Sequence, residues 1–103
     1  MSMSLKLSVP TPVIRGHAFD ATVALSAAKP ATAYTVSLEQ MHGLGHVVLT
    51  PQTVVTRPDG GGSALFHGVQ LLGPATAVLR ATAVEQGGLG EASDSQSVDV
   101  LAG

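Results

Sequence analysis

The sequence predicts an all-β fold, a seven-stranded sandwich of two sheets with Greek-key connections. Three observations carry this. Short runs rich in Val, Thr, Ala and Leu alternate apolar with polar residues, the period of a half-buried strand. Clusters of Gly, Pro, Asp and Ser interrupt them about every 8–12 residues, the cadence of all-β chains. Helical periodicity is absent. A small closed barrel would carry the same alternation and is the alternative architecture. A length of 103 residues has room for one domain, spanning 1–103.

The first predicted strand is Leu5–Val9. The second, Ala18–Ser26, turns Phe19, Ala21, Val23 and Leu25 inward. The third, Thr32–Gln40, does the same with Tyr34, Val36 and Leu38. The fourth, Val47–Thr56, contains Pro51, which lacks an N–H and belongs on an edge or at a bulge. The fifth, Ser63–His67, follows the Asp59-Gly60-Gly61-Gly62 turn. The sixth is Thr76–Val84, with Arg80 on the outer face. The seventh is Gln96–Leu101, with Val98 and Val100 inward.

Composition narrows the function. Aromatic residues are 3% of the chain, so the core is built from many small contacts. The five basic residues are scattered and the formal net charge is −2, which gives no basic stripe for a nucleic acid. With no cysteine there are no disulfides, no thiol catalysis and no Cys-type zinc site. The N-terminus does not read as a signal peptide, because Lys6, Pro10 and Pro12 interrupt any apolar core segment. No run approaches the ~18 apolar residues of a membrane helix.

The segments "VVLTPQTVVTRPDGGGSALF", "ATAVLRATAV" and "SQSVDVLAG" together resemble the Ig-like modules repeated in bacterial surface proteins and appended to phage virion proteins. The resemblance runs from Phe19 to Leu101 and implies an Ig-like sandwich that works by protein contact. The chain differs from antibody-type domains in lacking the Cys pair, the strand Trp and the Tyr near the start of the sixth strand.

Catalytic motifs are not recognisable. Ser63 follows a glycine turn and precedes a strand, whereas a nucleophile elbow turns from strand into helix. The carboxylates Asp20, Glu39, Asp59, Glu85, Glu91, Asp94 and Asp99 read as solvated surface acids. "GEASDSQS" offers oxygen atoms around Asp94, but calcium takes six to eight, usually from several carboxylates. "GGLGE", Gly87–Glu91, lacks the Lys and the helix of a phosphate loop.

The histidines form the remaining pattern. His42 and His46 flank Gly43-Leu44-Gly45, and the glycines fit a hairpin loop far better than a zinc-binding helix. In that hairpin the two side chains sit opposite each other, Cβ atoms ~5 Å apart. If strands run up and down, with Pro51 a kink and not a reversal, His17, His42, His46 and His67 share one end of the sandwich. Leu44, Leu71 and Leu72 join them there as exposed apolar loop residues. That end is the expected partner-contact surface, formed by Leu44, His42, His46, Leu71 and Leu72. The four histidines are weak metal candidates, since structural sites need three or four converging ligands.

The expectation is a non-enzymatic Ig-like structural or binding module with no cofactor and a protein partner. Its setting is a phage virion surface, as a capsid-decoration or appendage protein. The alternative is one Ig-like repeat of a bacterial surface or secreted protein, used in adhesion or as a carbohydrate-binding accessory. No nucleic acid and no membrane span are expected; self-association stays open.

Overall fold

The computed structural model describes residues 3–42, 50–71 and 75–102. Eight strands appear among them: β1 Ser4–Ser8, β2 Val13–Ile14, β3 Phe19–Ser26, β4 Ala33–His42, β5 Gln52–Val55, β6 Gly62–Val69, β7 Ala75–Glu85 and β8 Glu91–Leu101. They separate into two packed sheets, a three-stranded one ordered β1-β3-β6 and a five-stranded one ordered β2-β8-β7-β4-β5. All pairings are antiparallel except β2 with β8. The all-β, two-sheet expectation holds; the strand count of seven gives way to eight.

The difference is β2. Its two residues follow Pro10 and Pro12, too short and too proline-flanked to register as alternation. They pair in parallel with Val100 and Leu101, a partner no local pattern reveals. Most strand bounds move by one or two residues, and two starts move further. The seventh predicted strand lengthens to Glu91–Leu101, absorbing "GEASDSQS" except its Gly90, and β5 begins at Gln52, after Pro51. Val47–Leu49, the start of the fourth predicted strand, lies outside the described residues.

The core forms where the inward rows meet. Leu5, Leu7, Ala21, Val23, Leu25, Ala64 and Phe66 come from one sheet; Tyr34, Val36, Leu38, Leu79 and Val98 come from the other, all buried. Alternate positions along β7 (Ala77, Leu79, Ala81, Ala83) are buried as well. Three small side chains in that row let the opposite sheet approach closely. Phe19 is only partly buried, beside the register shift between Phe19 and Ala21.

Polar side chains tie the sheets together at their edges. An unpaired edge exposes N–H and C=O groups that need partners. On β1 they find Asp94 and Gln96 of β8. The Leu7 N–H donates to Asp94 Oδ2 at 2.9 Å, the Val9 N–H to Gln96 Oε1 at 3.3 Å, and Gln96 Nε2 to the Val9 carbonyl at 3.2 Å. On β6, the Leu65 carbonyl accepts from Gln52 Nε2 at 2.6 Å. Asp94 is therefore neither a loop ligand for calcium nor a free surface acid. It is a half-buried strand residue that caps a sheet edge.

Candidate functional site

The strand directions give the molecule two poles. At one, β3 begins, β6 ends, β4 ends opposite Val78 of β7, and the Gly16 N–H donates to the Leu71 carbonyl. His17 and His67 and the backbone of His42 belong to this pole. His46, Leu44 and Leu72 lie outside the described residues. His17 is exposed. His67 Nδ1 lies 3.2 Å from Asp20 Oδ1, and both side chains are mostly in solvent. Among the described residues, no three His, Cys, Asp or Glu side chains converge to hold a metal. Leu71 corrects the expected contact set. Its relative exposure is 0%, so it belongs to the core and is not a docking residue.

The opposite pole is made by the β3–β4 loop, the β5–β6 turn and the β7–β8 turn. The β3–β4 loop holds Ala27 and Ala31 at φ of 56° and 50°, a left-handed conformation that non-glycine residues rarely adopt. Such strain persists only where surrounding contacts impose it, and here they are identifiable. The Ala28 N–H donates to the Gly60 carbonyl at 3.0 Å. The Lys29 N–H donates to Tyr34 Oη at 3.1 Å. The Thr32 N–H donates to Thr56 Oγ1 at 3.0 Å, and that hydroxyl donates to the Lys29 carbonyl. Gly60, at φ 82°, allows the close approach, since a Cβ there would strike the Ala28 carbonyl.

This loop presents Lys29 to Glu85. Glu85 continues the inward row of β7 by two residues beyond Ala83, and it is 7% exposed. Lys29 Nζ donates to Glu85 Oε2 at 3.3 Å and stands 3.2 Å from Oε1. Buried Oε1 thus has a charge beside it but receives no hydrogen bond. The β7–β8 turn makes room for the carboxylate. A Cβ on Gly88 would overlap Oε2, and one on Gly90 would lie 2.9 Å from Oε1. The Glu85 N–H donates to the Gly90 carbonyl at 2.7 Å, closing the turn around its own side chain. Gly88 and Gly90 of "GGLG" are space for an acid, and Gly87 supplies the turn's positive φ of 74°.

Beside this pair lies a cleft of about 350 Å³, lined by Met3, Ala27, Lys29, Glu85, Leu89 and Glu91 among others. Leu89, at the turn's tip, is fully exposed. A second, shallower depression of about 450 Å³ lies beside Met41, Val78, Arg80, Ser93 and Ser95. What the first cleft offers is recognition by charge and hydrogen bonding, next to apolar surface.

Glu85 is buried and ion-paired, which corrects its expected place among the solvated acids. Ending the sixth predicted strand at Val84 hid it; Glu85 shares parity with Ala81 and Ala83, and that signal would have turned it inward. Lys29 had no signal, because its role depends on a loop conformation that local sequence does not specify.

No helix among the described residues is long and apolar enough to cross a membrane. No family model matches the chain, and no curated protein matches it.

Proposed function

We propose that this chain is a non-enzymatic Ig-like module that acts by protein contact, as a decoration or appendage protein on a phage virion. The strand order is the observation that supports the Ig-like part of this reading. Take β2 as the end of the first strand, crossing to the other sheet. One sheet then holds the first, second and fifth strands, and the other holds the third, sixth and seventh. Ig domains distribute their strands in this way. The departure is β5, which pairs with β4 as the extra strand of variable-type domains does.

The loop pole is the contact surface of this proposal. Three connections converge there, hydrogen bonds to Gly60, Tyr34 and Thr56 hold one of them in place, and Leu89 projects from another. Preorganised loops on a rigid scaffold bind with less ordering cost than mobile ones. The alternative setting, an Ig-like repeat of a bacterial surface or secreted protein used in adhesion, draws support from one geometric fact. β1 starts at the loop pole and β8 ends at the other, so successive modules would join end to end.

Immunogold labelling with an antiserum against the chain tests both settings in cells that make it. Label on released particles is the expected result. Label on intact cell envelopes selects the surface setting, and label confined to the cytosol overturns both.

A further inference from the structure

We infer that the cleft beside Glu85 is a recognition site for a lysine or arginine side chain of a protein partner, occupied in the free molecule by Lys29. The inference rests on the binding-module reading and names the chemistry its partner would present. It stands on two independent observations. First, Glu85 is a buried carboxylate on the cleft wall, and the cation that pairs with it, Lys29 Nζ at 3.2 Å from Oε1 and 3.3 Å from Oε2, comes from a side chain that is itself largely in solvent. A buried carboxylate needs a cationic partner, and an incoming ammonium or guanidinium can take the place that Lys29 holds. Second, the lining carries two carboxylates, Glu85 and Glu91, against one cation, Lys29. One charge is therefore left for a cationic ligand to neutralise.

The walls fit the rest of such a side chain. Met3, Ala27 and Leu89 give apolar surface along the approach, and lysine and arginine bury their methylene stems on such surface while the charged head seeks a partner. Lys29 itself is held loosely enough to yield. Its side chain is 68% exposed although Glu85 is buried, so it can swing into solvent without opening the core. Exchange of one cation for another keeps Glu85 paired throughout.

The resident lysine makes a distinctive prediction. A site filled by an internal competitor binds an outside ligand with apparent affinity reduced by the fraction of time it is vacant. Removing Lys29 should therefore strengthen binding, whereas loss of a merely structural ion pair would not. The test is a ¹⁵N–¹H NMR titration of the intact chain with blocked acetyl-Gly-Lys-Gly-amide and acetyl-Gly-Arg-Gly-amide peptides. The norleucine peptide, which has the stem without the charge, is the control. The cationic peptides should shift the amides of Lys29, Gly88, Leu89 and Gly90, and added salt should weaken the effect. Lys29→Ala should tighten binding by about tenfold, as expected if the lysine fills the site about nine-tenths of the time. Glu91→Gln should weaken it, and Glu85→Gln should abolish it. If Glu85→Gln unfolds, as amide dispersion would show, the Glu91→Gln and Lys29→Ala variants decide. Equal shifts from the norleucine peptide, no shifts from the cationic ones, or unchanged affinity in Lys29→Ala each overturn the site. A failed titration with particles still labelled by the antiserum removes the cation site alone; lost labelling removes the module's setting.

Discussion

Asp94 Oδ2 accepts the backbone N–H of Leu7 at 2.9 Å, joining residues 87 apart in sequence and one sheet to the other. A half-buried carboxylate on a backbone donor is a charge-assisted bond, stronger than a neutral one. Replacing Asp94 by Ala should cost about 1.5 kcal/mol, the range for bonds to charged groups. The loss should be local as well as global. Hydrogen exchange at the Leu7 amide should accelerate in Asp94→Ala, and Asp94→Asn, which keeps an acceptor, should restore much of the protection.

Gly88 makes a second test. A Cβ there overlaps the Glu85 carboxylate, the far end of a flexible side chain, so the acid and not the backbone would move. Gly88→Ala should therefore push Glu85 away from Lys29 and lower stability by about 1–2 kcal/mol, the range for disturbing a buried polar group. In a Glu85→Ala background the same change should cost little. Denaturant unfolding of the two single variants and the double variant reads the difference, since directly contacting residues are non-additive.

Leu71 separates core from contact surface. It is fully buried, so Leu71→Ala should destabilise the domain by about 3 kcal/mol, as cavity-forming leucine truncations do. A change below about 0.5 kcal/mol, typical of surface positions, would return Leu71 to the exposed set. Thermal unfolding by circular dichroism is sufficient to tell these apart.

Much of the architecture was legible because a two-residue period is local information. The alternation of Tyr34, Val36 and Leu38 against Thr35, Ser37 and Glu39 placed one β4 face in the core, and Val98 and Val100 did so for β8. What the alternation could not convey was polar side chains on inward parity. Asp94, Gln96 and Glu85 occupy inward positions but meet a sheet edge or a loop amine, not apolar neighbours. Read singly, they look like surface residues. β2 was hidden for a different reason: its pairing with Val100 and Leu101 is non-local, and two residues carry no period. The loop pole was illegible for the same physical cause. It depends on the left-handed Ala27 and Ala31, which local propensity disfavours and only the Gly60, Tyr34 and Thr56 contacts impose.

The pairing of Lys29 with Glu85 is the claim on which the loop pole depends, and a double-mutant cycle measures it most directly. The variants are Lys29→Ala, Glu85→Ala and both together, compared by equilibrium denaturant unfolding at neutral pH. Exposed ion pairs couple by about 0.2–1 kcal/mol. A buried carboxylate is desolvated while its partner is largely in water, so the coupling should lie at or somewhat above the top of that range, about 1–1.5 kcal/mol. Lys29→Ala alone should be destabilising, because it leaves the Glu85 charge buried. Coupling indistinguishable from zero, with Lys29→Ala neutral, would contradict the account.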